Sequence, residues 1–170
     1  PYFEKQNAHI KKAYKVGYAA CGDETCCVWT GGEGLYDWNK CPHLTFNEDK
    51  PDPYSLMTKT TCDAQSGVMV FAEPMKRKED NPHIQYNSQY GVTTGTTIRM
   101  CDPLAEQNAV IGIDGWFGGV KTLVALWVEK KVFSVCQVKT NSALAAVKEM
   151  KEICPQKQGG FVTAEAKVRS

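Results

Sequence analysis

The sequence predicts a mostly β fold: an antiparallel barrel of about eight strands, one C-terminal helix and a final short strand, stapled by disulfides. Three observations carry that expectation. Eight cysteines are spread along a chain of 170 residues. Short apolar stretches rich in Val, Ile, Thr and Tyr recur at hairpin-compatible spacing, with no helical pattern between them, which disfavours parallel βαβ units. The apolar period turns helical only near the C-terminus.

The cysteines are Cys21, Cys26, Cys27, Cys41, Cys62, Cys101, Cys136 and Cys154. A structural zinc site needs two short ligand hooks. Only Cys21 and Cys26 approach such spacing, and His9, His43 and His83 are too scattered to supply the second hook. Four disulfides are therefore expected, with about a hundred connectivities open. Cys26 and Cys27 point to opposite faces if they lie on a strand, so each takes a different partner. Disulfides persist in oxidising compartments, so the protein is expected to be secreted and extracellular. A beginning at Pro1 without Met fits a mature form whose leader has been removed.

A length of 170 residues suits one domain, 1–170, with a core of its own. Lys and Arg total 20 against 19 Asp and Glu, so no global basic field favours nucleic acid. The longest apolar run, Leu123 to Val128, is far short of a membrane span. No Asn-x-Ser/Thr acceptor is present.

Taken in order, residues 3–14 form a weak amphipathic helix. Residues 14–20 and 26–30 are short strands. Gly31 to Pro53 is a long irregular loop, dense in Gly, Asn and Pro and pinned by Cys41. Strands follow at 54–61 and 68–73. Residues 83–87 and 92–100 make a hairpin across a short Ser-Gln-Tyr-Gly linker. Further strands cover 109–114, 122–128 and, after the charged turn Glu129-Lys130-Lys131, 132–138. Leu144, Val147, Met150 and Ile153 then lie three apart, which predicts a helix over 142–153 capped by Asn141 or Ser142 and ended by Pro155. Residues 161–168 are the last strand.

In this strand–strand–helix–strand order the chain resembles a lipocalin. Cys101-Asp102-Pro103-Leu104, followed by Leu126-Trp127-Val128 and then Cys136 and Cys154, is similar to the pattern of the arthropod, chiefly tick salivary, branch. Pro103 and Ala125 depart from that pattern, and the resemblance covers the C-terminal half. It implies a barrel enclosing one small ligand.

The candidate ligand-binding residues are Trp127, Arg99, Trp29, Tyr86 and Asp102. Trp29, Trp38, Trp116, Trp127, Tyr36 and Tyr86 offer π-faces to a cationic amine, although ordinary core or loop packing is the commoner role for any one of them. Trp127 shares a face with Leu123 and Ala125 if the segment is a strand. Arg99, inward-facing, would hold a ligand carboxylate; outward-facing, it is a solvated charge. Asp102, Asp114 and Glu73 stand at strand ends, where a cationic ligand would pair with an inward carboxylate and water would otherwise solvate it.

No catalytic set stands out. Cys41-Pro42-His43 is inconsistent with a fully oxidised cysteine set, and nucleophile-elbow, zinc-helix and phosphate-loop motifs are absent. Met75-Lys76-Arg77-Lys78 is cancelled by Glu79-Asp80. The expected function is that of a secreted binder or scavenger of a small hydrophobic or biogenic-amine ligand, modulating host defence. The alternative is a disulfide-rich effector that inhibits a host protein, as an immune or protease antagonist, through the Gly31–Pro53 loop. Neither is an enzyme, and neither requires a cofactor, a metal or nucleic acid.

Overall fold

The computed structural model describes residues 2–30, 44–76 and 78–137. The expected helix at 142–153, the final strand at 161–168, and the 31–43 part of the long loop lie outside the described residues.

Among the described residues, six strands form one open, mixed sheet. They are β1 (Ala19–Val28), β2 (Leu44–Phe46), β3 (Tyr54–Asp63), β4 (Met69–Pro74), β5 (Val110–Ile113) and β6 (Phe133–Cys136). The order runs β2-β3-β1-β5-β6, with β4 also paired to β3. β1 and β3 are antiparallel, as are β3 and β4, whereas β5 lies parallel to β1 and β6 parallel to β5. The expected barrel does not form: among the described residues the sheet does not close on itself, and its parallel half cannot be made from hairpins.

The helices are α1 (Tyr2–Ala13), α2 (Asn87–Tyr90), α3 (Val92–Met100) and α4 (Val120–Lys130). Phe3, Gln6, Asn7 and Ile10 form the half-buried stripe of α1, with the 3.6-residue spacing of a helix face. Asn7 donates to the Ala72 carbonyl and accepts from the Ala72 N–H, both at 2.9 Å. Its amide thus occupies the outer hydrogen-bonding positions of β4, an edge strand that would otherwise invite pairing.

Two segments expected to be strands are helices. Residues 83–100 were predicted as a hairpin, but after a 3₁₀ turn at Asn81–His83 they make α2 and α3. The threonine-rich composition of α3 favours a strand locally, yet every residue from Thr94 to Met100 is buried. Its hydroxyls find partners that only this packing supplies. Thr97 donates to the Thr93 carbonyl at 2.9 Å, and Thr94 meets Thr122 of α4 at 3.0 Å. The second segment, 122–128, belongs to α4. An apolar run that short does not distinguish a buried strand from a buried helix. In α4, Thr122, Ala125 and Leu126 are buried while Trp127 is exposed. The chain leaves α4 through Lys131 at φ 55°, in the left-handed conformation that closes helix ends.

The core lies between α3 and one face of the sheet. It contains Ile98, Met100, Leu104, Ile111, Phe117, Leu126 and Val132, all fully buried. A Cβ on Gly22 of β1 would stand 2.9 Å from Met100 Cε, so glycine there lets α3 approach the strand closely.

The expected disulfide framework is also corrected. Cys21, Cys26, Cys27, Cys62, Cys101 and Cys136 are free thiols, and Cys41 and Cys154 lie outside the described residues. Cys26 and Cys27 do sit side by side on β1, opposite Met57 and Leu56. Cys21 and Cys62 face one another across β1 and β3 as thiols. Burial, and then the neighbouring Cys21, push the Cys62 thiol up. Cys101 is fully buried, and desolvation raises its thiol to about 12. The core, not a set of bridges, holds these residues together.

Candidate functional site

The chain turns in opposite directions from the two central parallel strands. From β1 it passes to β2 and β3 on one side, and from β5 through α4 to β6 on the other. In open sheets of parallel strands, the crevice at such a reversal is where ligands bind, beyond the carboxyl ends of the strands. Two aspartates stand where the parallel pairing of β1 with β5 ends, Asp23 within β1 and Asp114 just past β5. The last register pair between β1 and β5 is Gly22 with Ile113, so Asp23 of β1 and Asp114, the first residue after β5, come next in that register. Both are exposed. Among the described residues neither has an ion-pair partner.

Each carboxylate is oriented by backbone. The Glu24 N–H donates to Asp23 Oδ1 at 2.7 Å. The Trp116 and Phe117 N–H groups donate to Asp114 Oδ1 at 2.9 and 3.2 Å, closing the turn after β5. The Gly118 N–H returns to the Asp114 carbonyl at 2.9 Å. A Cβ on Gly118 would fall 2.6 Å from Cys136 Cβ, so this tight turn against β6 requires glycine. Phe117 anchors the same turn in the core.

On the other face, Glu24 and Lys59 are register partners across β1 and β3. Lys59 Nζ bonds Glu24 Oε1 at 2.7 Å, with the two side chains only 7% and 19% exposed. The same ammonium lies 4.1 Å from the centroid of the Trp116 ring.

Two hard oxygen donors at neighbouring positions suit a divalent cation such as Mg²⁺, which is held by one or two carboxylates and completes its shell with water and substrate phosphate. No group of three or more His, Cys, Asp or Glu able to hold a metal occurs among the described residues.

The residues expected to line a ligand cavity lie elsewhere. Trp127 is on the outer face of α4, its ring 4.9 Å from that of Phe133, with Lys131 Nζ 5.5 Å away. Arg99 is buried in α3, forked onto Glu73 of β4 at 2.8 Å through both Nε and Nη2. Trp29 is exposed just past β1 and donates its N–H to the Tyr54 carbonyl. Tyr86 precedes α2 at φ 70°, with Lys130 Nζ 5.0 Å from its ring. Asp102 pairs with Lys130 at 2.5 Å. Burial opposes the charge on Lys130, but Asp102 and Tyr86 together outweigh it, so the ammonium is held above its ordinary range. Arg99 and Asp102 border one cavity beside α1 and β4, and Tyr86 and Asp102 both meet Lys130, but Trp29 and Trp127 do not line that cavity.

Asp114 was weighed in the sequence as a strand-end carboxylate, solvated or paired with a cationic ligand, and Asp23 was not singled out. A signal for both was present: Ala-Ala-Cys-Gly-Asp23 and Val-Ile-Gly-Ile-Asp114 each run small and apolar into an aspartate.

Comparison with known proteins bears on the family. No curated protein matches the chain. A solved structure described as the cryo-EM structure of the piggyBac transposase synaptic complex with hairpin DNA superposes with a TM-score of 0.68 at 18% identity. The match covers 88% of this chain and 29% of that one, so this chain spans less than a third of that protein's length. A family model described as Transposase IS4 matches residues 1–167.

These findings overturn the lipocalin resemblance and the functions drawn from it, both the small-ligand scavenger and the inhibitory effector. The non-enzymatic reading falls as well, since transposases cut and rejoin DNA. The exclusion of nucleic acid rested on a balanced net charge, a whole-chain quantity that is blind to a local site binding phosphate through a metal ion. The secreted reading rested on disulfides that the six described cysteines do not form, and the salivary one on the lipocalin resemblance, which the family match overturns. With its family model matched over nearly the whole length, the chain belongs to the IS4 transposase family.

Proposed function

We propose that this chain carries part of the catalytic core of a DNA-cleaving and rejoining transposase, with Asp23 and Asp114 as the carboxylates that hold its divalent metal. The observation that carries the reading is the parallel β1–β5 register, whose last pair, Gly22 with Ile113, is followed at once by Asp23 and Asp114. Family membership supplies the reaction class. When bound, the metal contributes Lewis acidity toward a phosphoryl oxygen and a low-pKa water as nucleophile.

The chain's own residues do the positioning. Asp23 and Asp114 present carboxylate oxygens to solvent, where a DNA backbone can reach them. The N–H groups of Glu24, Trp116 and Phe117 aim those carboxylates before any ion arrives, so little ordering remains on binding.

Iron-directed cleavage tests this directly. Fe²⁺ substituted for Mg²⁺, with ascorbate and peroxide, should cut the polypeptide next to residues 23 and 114. Asp23→Asn and Asp114→Asn should each suppress both cuts. Cleavage elsewhere, or cuts indifferent to these substitutions, would refute the assignment.

A further inference from the structure

The ammonium of Lys59 touches both segments that carry the aspartates. Toward β1 it bonds Glu24, the residue after Asp23, at 2.7 Å. Toward the β5 turn it lies 4.1 Å from the centroid of the Trp116 ring and 5.2 Å from that of Phe117. Trp116 and Phe117 are the residues whose N–H groups hold Asp114. A lysine side chain only 7% exposed is rare without such partners. The pair contributes little to hydrophobic burial, and a well-packed apolar pair would stabilise the sheet at least as well. What Lys59 adds is a link between the two segments, because the ion pair to Glu24 and the contact with the Trp116 ring share one atom.

We infer that Lys59 is a positioning residue for the metal site: through Glu24 on one side and Trp116 on the other, it sets the separation of Asp23 and Asp114. This inference rests on the assignment of those two aspartates as metal ligands. Lys59 does not touch the ion, since its register places it on the opposite face from Asp23.

Mn²⁺ titration of the 170-residue chain, followed by electron paramagnetic resonance, tests the inference without any need for activity. Substitutions that misplace groups behind a metal's ligands typically weaken binding by about 10–100-fold. Lys59→Met and Trp116→Leu should each weaken Mn²⁺ binding by roughly tenfold. Lys59→Arg should recover most of the loss, because a guanidinium keeps the charge, the carboxylate partner and the aromatic stacking. A merely structural lysine would lower the melting temperature without moving the affinity of the folded protein.

If Lys59→Met does not fold, Trp116→Leu decides the question, since Trp116 is 42% exposed and tolerates replacement. Unchanged Mn²⁺ affinity in folded Lys59→Met or Trp116→Leu, with binding abolished by Asp23→Asn and Asp114→Asn, overturns the positioning role and leaves the metal site standing. A parent chain that binds no Mn²⁺ overturns both.

Discussion

Arg99 holds Glu73 with a two-point fork, Nε to Oε2 and Nη2 to Oε1, each at 2.8 Å. The remaining guanidinium donors go to the Gln85 carbonyl at 2.6 Å, Asn87 Oδ1 at 3.0 Å and Thr96 Oγ1 at 3.1 Å. One side chain therefore ties α3 to β4 and to the segment leading into α2. A fully satisfied buried ion pair is costly to break from one side, because the partner is left charged and unpaired.

Arg99→Ala should accordingly destabilise the fold by about 3–5 kcal/mol in urea denaturation. Glu73→Gln combined with Arg99→Met, which removes both charges, should cost clearly less than the single change. Equal losses in the two variants would show that packing rather than charge is at stake.

Asp63 predicts an acid-sensitive step. Its carboxylate accepts the Gly17 N–H at 3.0 Å, the Gln65 N–H at 2.8 Å and the Tyr14 hydroxyl at 2.8 Å. Those bonds lower its pKa from 3.8 to about 2, the Gly17 bond contributing most. A depressed carboxylate stabilises the fold fully above its unfolded pKa and loses that contribution as pH falls through the folded one. Thermal midpoints should therefore drop between about pH 4 and pH 2. Asp63→Asn should start lower at neutral pH and show a flatter decline across that window.

Gly118→Ala would place a methyl group 2.6 Å from Cys136 Cβ and 2.9 Å from the Asp114 carbonyl oxygen. The expected destabilisation is about 1–3 kcal/mol, typical of overpacking. Because the obstruction is partly backbone, adding Cys136→Gly should restore only part of it. A Gly118→Ala protein that melts like the parent would mean that the turn after β5 is looser than described.

Thiol titration checks the cysteine chemistry. The unreduced, unfolded chain should expose at least the six described thiols. In the folded chain the exposed Cys21 and Cys27 should react first. Cys101, buried and raised to about 12, should react only on unfolding. Fewer than six thiols after unfolding would restore a disulfide to the framework.

Local pattern was enough for the elements whose period stood alone. The helix over 3–14 and the strands near 54–61, 68–73 and 109–114 coincide with α1, β3, β4 and β5. Alternation or helical spacing along one segment reports which face is buried, and that is a property of the segment itself. Thr-Thr-Gly-Thr-Thr-Ile98 and Leu-Val-Ala-Leu-Trp127 were not legible in that way. Their β-branched and apolar residues suit a strand as well as a buried helix, and the choice was made by Thr94 meeting Thr122 and by Arg99 reaching Glu73. Those two errors turned an open mixed sheet into an expected barrel, and the even cysteine count reinforced it. Asp23 and Asp114 are 91 positions apart in the sequence, and nothing local marks them as neighbours. Only the parallel pairing of β1 with β5 joins them, because strand register is decided by how the whole sheet packs.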